Sequence, residues 1–273
     1  MIDLVKEMFS YDFIVRAVTV GILVSLCAAL LGVTLVLKRY SMIGDGLSHV
    51  GFGTLAIAMS LNIAPLGVSI PVVLAAAFLL LRISESSRIR GDAAIALISS
   101  SALAGGVIVI SMTTGMNADV CNYMFGTILS LRRSDVYLSV AASVLVLVMY
   151  VLSYKGIFAV TFDESFARAT GVKAGRYNTL IACLTAVIIV IGMRMMGAML
   201  ISSLIIFPAL TSMRVFSSFM GVVVCSGILS VICFIVGMAA SFDLSTPAGA
   251  SRVMAKLAAF CVFSAAGKLG LKV

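Results

Sequence analysis

Charge is what this 273-residue sequence has least of: Asp, Glu, Lys and Arg together make up 11% of it. A water-soluble domain carries about 25%, so too few polar side chains are present to coat a water-facing surface of this size. Histidine occurs once, as His49. None of the six cysteines forms a C-x-x-C pair, and all but Cys121 lie inside apolar runs. That argues against a zinc ribbon and reads as packing rather than disulfides. No glycine-rich phosphate loop occurs. The stretch Gly171-Val-Lys-Ala-Gly175-Arg176 has neither the spacing nor the Lys-Ser/Thr of one, so the chain carries no nucleotide motif of its own and does not read as an enzyme. Asp3, Lys6 and Glu7 precede the first apolar run with no small-residue cleavage site after them. That run, residues 13–37, is too long for a secretion signal and is expected to remain as a membrane helix.

What the sequence does contain is apolar: 62% of it. The runs are continuous, as in SVLVLVMYV and CFIVGMAA, whereas barrel strands alternate polar and apolar residues. The expected fold is therefore all-α, a polytopic membrane bundle formed as one domain over residues 1–273. Segments near the length of a bilayer span are 13–37, 44–61, 66–81, 93–112, 136–154, 177–193, 197–213, 219–241 and 247–269. Residues 119–131 are short for a crossing and are expected to form a re-entrant helix. Eight or nine transmembrane helices are expected, because the two segments meeting near 193–197 read either as neighbours or as one broken element.

The net charge of +8 is spread in ones, twos and threes between apolar runs. This is the pattern that orients membrane proteins, not one that binds nucleic acid. Alternating the loops puts twelve of the nineteen basic residues on one side, among them Lys38, Arg39, Lys155, Arg168, Lys173, Arg176, Arg214 and Lys268. That side is expected to be cytoplasmic. Arg16, Arg194, Arg252 and Lys256 fall on the other, with Arg194 snorkelling at the boundary. The methionines around it, Met193, Met195, Met196 and Met199, read as packing.

The longest polar segment, residues 154–176, lies on the cytoplasmic side. Thr161 and Glu164 have capping-box spacing, and Gly171 sits where a helix would stop. A short helix over 162–170 is expected, turning Phe166 and Ala169 inward and Glu164 and Arg168 outward. It reads either as a surface connection or as a docking helix for a cytoplasmic partner.

The densest chemistry is Gly44-Asp45-Gly46-Leu47-Ser48-His49. Asp45 and His49 are four apart and share one helix face. An ionisable group within a span marks an ion or substrate path by default, and an imidazole nitrogen with a carboxylate oxygen suits zinc or manganese. Two ligands are too few for a closed site, but a twofold dimer doubles them. The competing reading is a helix cap with a polar residue one turn on.

Several motifs resemble one family in colinear order. KRYSMIGDGLSHVGFGTLAIA (38–58) resembles the signature of the ABC-3 family of metal-uptake permeases. NYMFGTILSLRRSDV (122–136), FAVTFDESFARATGV (158–172), MGAMLISSLIIFPALTSM (196–213) and STPAGA (245–250) are similar to later segments of that family. Thr127 stands where the family has Asp, and Phe52-Gly53 replaces a frequent Leu-Pro or Leu-Ala.

The resemblance implies a homodimeric permease in a prokaryotic inner membrane. Two cytoplasmic ATP-binding subunits would power it, and an extracellular or periplasmic metal-binding protein would deliver Zn²⁺ or Mn²⁺. Asp45 and His49 match the family's metal residues. Asp163, Glu164, Phe166, Ala167, Arg168 and Gly171 fall in the segment that meets the ATPase. The GDGLSHVG stretch is nearer the zinc members. The alternatives are a manganese or iron importer of the same type and a proton-coupled secondary metal transporter. No permanently bound cofactor is implied.

Overall fold

In the computed structural model, residues 12–85, 91–113, 126, 133–198, 200–244 and 246–269 are described. The re-entrant helix expected over 119–131 falls outside them, apart from Gly126. Among the described residues the chain is all helical: α1 (Asp12–Leu37), α2 (Ser41–Ser60), α3 (Pro65–Glu85), α4 (Gly91–Met112), α5 (Arg133–Leu152), α6 (Tyr154–Phe162), α7 (Glu164–Ala169), α8 (Ala174–Met196), α9 (Ile201–Ser212), α10 (Phe219–Asp243) and α11 (Ala248–Lys268). Seven of these, α1, α3, α4, α5, α8, α10 and α11, are long and apolar enough to cross a membrane. Each of the nine apolar segments coincides with a helix.

A backbone in hydrocarbon has no water to bond, which forces such runs into helices. The bundle centre is α1 with α8. Ala17, Val20, Val24, Cys27, Ala28 and Ala29 of α1 and Ala186, Ile189 and Val190 of α8 are wholly buried. The outer helices α4, α5 and α11 instead expose Leu97, Ile108, Leu145, Leu152 and Val262, side chains suited to lipid. Cys27, Cys183, Cys225, Cys233 and Cys261 are free thiols.

Two close approaches set the frame around α2. It lies against α4, running parallel to it: a methyl group built on Gly46 would meet Ile95, and one on Gly53 would come within 2.6 Å of the Ala102 carbonyl oxygen. Small residues are what let helix backbones meet this closely in membranes. Further along, Phe52 and Leu55 of α2, Ile110 of α4, and Met193 and Ala198 at the end of α8 share one apolar cluster. Thus α4 finishes at the end of the bundle where α8 finishes. An ion pair between Asp135 and Arg194, 2.8 Å apart, places the start of α5 there too.

That pair corrects the expectation for Arg194. Its side chain is nearly buried, with 10% exposure, and is held by a carboxylate rather than snorkelling. Arg252 and Lys256 likewise do not reach outward; both are buried on α11. The Arg252 guanidinium lies 4.5 Å from the centre of the Phe234 ring, a contact that partly offsets its desolvation.

α8 ends where Gly197 turns to φ +87°, a conformation that favours glycine. The chain then starts α9, whose first residue, Ile201, meets Val24 of central α1 at Gly192. The segments around 193–197 are therefore two helices, and the start of α9 lies at mid-depth.

Replacing Gly53 by Val is expected to push α2 off α4 and lower stability by about 1–3 kcal/mol, the usual range for overpacking. Gly105, which faces open space, should accept Ala without loss. Thermal unfolding of the two purified variants in detergent checks the contrast.

Candidate functional site

The N-terminal half of α2 is covered on most of its circumference. Ile43, Gly44, Gly46, Leu47, Ser48 and Val50 are buried. Met42 is exposed, and Asp45 and His49 keep 37% and 16% side-chain exposure. These three recur at helical spacing and form one open strip. The cover on the other faces comes from α4 through Ile95 at Gly46 and from α9 through Ile205 at Gly44.

Within the strip, His49 Nε2 faces Asp45 Oδ2 at 3.6 Å. That is longer than a good hydrogen bond. The other carboxylate oxygen, Oδ1, accepts a hydrogen bond of 2.9 Å from the Ser202 hydroxyl. Ser202 stands in the first turn of α9, where orphan backbone N–H groups favour a nearby carboxylate. The site therefore holds one carboxylate oxygen fixed and leaves the other turned toward the imidazole. His49 Nδ1 is buried without a hydrogen-bond partner. Among the described residues no third His, Cys, Asp or Glu joins the pair. The cap reading of Asp45 does not hold: α2 starts at Ser41, and Asp45 lies inside the helix.

Ser202 was not singled out from the sequence. The available signal was its place just after the glycine that breaks α8 from α9, since helix breaks at membrane depth gather around ion sites.

At the other expected site the chain forms α6 and α7 as separate helices. The capping box does not form. Thr161 Oγ1 bonds back to the Ile157 carbonyl, and Asp163 caps α7 by accepting from the Phe166 N–H at 2.8 Å. The expected inward face is also corrected. Ala167 is buried against Val160 and Ala174, while Phe166 and Ala169 are exposed. A six-residue helix has room for one inward position, and the extended residue Asp163 between α6 and α7 redirects the chain so that Ala167 takes it. Arg168 is exposed as expected, and Gly171, at φ +88°, ends the helix.

Glu164 is the residue that ties α7 to the bundle. Its carboxylate accepts from Arg168 at 2.6 Å and Asn178 Nδ2 at 3.1 Å, and meets Lys38 Nζ at 3.3 Å. Lys38, with 7% exposure, also donates to Asn178 Oδ1. Lys38 follows the last residue of α1, Arg39 takes φ +60°, and α2 begins two residues later. One carboxylate thus joins α7, α8 and the corner that leads to Asp45. Burial alone would push the Glu164 carboxyl up, but the hydrogen bonds from Arg168 and Asn178 and the Lys38 charge together hold it below its ordinary range.

The arrangement is that of a multi-pass membrane protein with an open-sided Asp–His pair near the start of α2. The comparisons agree. The ABC 3 transport family matches residues 10–267, and the chain belongs to that family. It is similar to the manganese import system permease protein ScaB of Streptococcus gordonii, at 27% identity over 95% of this chain and 93% of that one. It is also similar to the high-affinity zinc uptake system membrane protein ZnuB of Haemophilus influenzae, at 26% identity over 89% and 94%. Among solved structures, PsaBC from Streptococcus pneumoniae in complex with Fab superposes with a TM-score of 0.87 at 25% identity, covering 99% of this chain and 100% of that one.

Because the folded-state carboxyl of Glu164 is depressed, its contribution is fully present above its ordinary value near 4.5. It is lost as pH falls through the lower folded value. Glu164→Gln is expected to raise amide exchange of α7 at neutral pH by about fivefold, as for a partly screened ion pair of about 1 kcal/mol. It should also remove the loosening of α7 that acid causes in the parent chain. Hydrogen exchange between pH 3 and 7 measures both.

Proposed function

We propose that this chain is the membrane permease subunit of an ATP-driven importer of divalent transition-metal ions, with zinc as the preferred cargo. The observation that carries this reading is the facing pair at 3.6 Å on the open strip of α2. An ion between the two atoms sits about 2.0–2.2 Å from each, which sets two ligands about 3.3–3.6 Å apart. The donors are one imidazole nitrogen and one carboxylate oxygen, a set suited to zinc and less to the all-oxygen preference of harder ions. Manganese is the second reading, favoured by the named cargo of the ScaB relative.

Two donors hold an ion only briefly. A second copy of the chain, facing the first across a twofold axis, brings another Asp45 and His49 to the same path. Met42, Asp45 and His49 form the uncovered strip of an otherwise covered half-helix, which supports this pairing. A partial, symmetric ligand set holds the ion loosely enough for release.

The helices support nine crossings. α4 ends and α5 begins at one end of the bundle. α2 adds a crossing to the seven long apolar helices. α9 leads back from mid-depth to the end where Lys38 lies. That end is cytoplasmic by its excess of basic residues.

Asp163, Glu164, Phe166, Ala167, Arg168 and Gly171 form the docking helix for the ATP-binding subunits. Phe166 and Arg168 face outward to meet them, Ala167 seats the helix, and Asp163 and Gly171 delimit it. Force on α7 passes through Glu164 to Lys38 and so to the start of α2. An external metal-binding protein supplies the ion at the opposite end. The chain's own residues bind and release the ion; the partner subunits hydrolyse ATP.

In proteoliposomes holding the permease with its ATP-binding subunits, ⁶⁵Zn uptake is expected to require ATP and no proton gradient. Asp45→Asn and His49→Ala should reduce uptake to background while the complex still assembles. Ser202→Ala, which frees the carboxylate to turn, should cost about tenfold, as for other residues that orient a metal ligand. Uptake by Asp45→Asn and His49→Ala at the parent rate, or uptake driven by a proton gradient alone, sinks the proposal. The ratio of ⁶⁵Zn to ⁵⁴Mn uptake decides the preferred cargo.

A further inference from the structure

We propose that the cleft between the ends of α9 and α11 binds the phosphate of an anionic phospholipid. The cleft has a volume of about 440 Å³ and is lined by Met213, Arg214, Phe260, Ser264, Gly267 and Lys268. It exists because α11 crosses directly over the end of α9: a methyl group on Gly267 would lie 2.6 Å from the Arg214 carbonyl oxygen. The two chains touch at that point and diverge beside it.

The lining brings together three side-chain donors, Arg214, Ser264 and Lys268, and no carboxylate. Arg214 and Lys268 bring two positive charges, and among the described residues neither has a carboxylate partner. The Ser264 hydroxyl is buried without a hydrogen-bond partner. The Arg214 guanidinium is held 5.2 Å from the centre of the Phe260 ring, which orients its fork without neutralising it. Two cations and one free hydroxyl converging on a cleft match a phosphate, which offers several acceptor oxygens and one negative charge as a diester.

The position in the fold selects a lipid. The start of α10 lies against α6, where Phe219 meets the rings of Tyr154 and Phe158. The connection that holds Arg214 is therefore at the same end as α6 and α7. Basic pockets between helices at the cytoplasmic face are where anionic headgroups bind. The walls continue the match. Met213 and Phe260 are apolar, and one turn before Phe260 on the same face of α11 Leu257 is exposed, which extends the apolar wall for an acyl chain. A soluble phosphate would gain nothing from it.

The test uses the full permease complex in nanodiscs of mixed phosphatidylglycerol and phosphatidylcholine. Native mass spectrometry during stepwise delipidation reads the lipid retained. The parent complex is expected to keep phosphatidylglycerol in preference to phosphatidylcholine. Arg214→Gln with Lys268→Gln should lower that preference by about 25-fold, each basic group at an anionic surface contributing about fivefold. Arg214→Lys with Lys268→Arg, which keeps both charges, should retain it. Lys155→Gln, at the same end but outside the cleft, should leave it unchanged. If the double Gln variant does not assemble, Lys268→Gln alone carries the test with a fivefold fall.

Equal retention by the Gln variants overturns the proposal, and so does an equal loss in Lys155→Gln. Inorganic phosphate at millimolar concentration is added in a separate arm. Stabilisation by phosphate with no preference between the two lipids assigns the cleft to a free anion and overturns the lipid. Each readout is independent of metal transport, so a failure of the permease reading leaves it intact.

Discussion

Every feature of this molecule answers to the cost of leaving a polar group unpaired in hydrocarbon. The backbone meets that cost with long helices joined by short turns. Side chains meet it in different ways. Serines and threonines on the helices return their hydroxyls to a carbonyl three or four residues back, as Ser48 does to Asp45 and Thr211 to Phe207. Asp135 and Arg194 neutralise each other. Arg252 settles over an aromatic ring. Asp45 and His49 answer that cost less fully, because they face each other at a separation that leaves both partly unsatisfied.

Holding such a pair requires a rigid surround. Close helix contacts provide it: α2 is laid directly on α4 at Gly53 and Gly106, and α9 reaches in from the break at Gly197 to place Ser202 on the carboxylate. The break serves two ends at once. It releases α9 at mid-depth, and it puts a helix start, with its free N–H groups, beside a negative charge.

The same economy links the site to the periphery. Glu164 gathers Arg168, Asn178 and Lys38, and Lys38 stands three residues before the start of the helix that carries Asp45. α7 therefore has a short, charged connection to the start of α2 that does not run through the apolar packing, where contacts are weak individually and numerous.

Much of this was legible in the residues alone. Apolar run length set the positions of all nine apolar helices, seven of them of span length, because hydrocarbon thickness imposes a span length whatever the neighbours are. The scarcity of charge made the Asp45–His49 pair conspicuous, and the basic residues marked one end. What the linear order did not contain was the pairing between distant segments. Asp135 and Arg194 are far apart in the chain, as are Asp45 and Ser202. Which of them meet depends on how the helices pack, and packing depends on glycine contacts such as Gly53 on Ala102. Local spacing also misled at Thr161 and Glu164: a capping box was possible there, but Glu164 is taken by Lys38 and Asn178, and Asp163 caps the helix instead. Length and periodicity are local properties that solvent alone enforces. Partners are chosen by tertiary competition for the few polar groups available, and only the folded chain decides it.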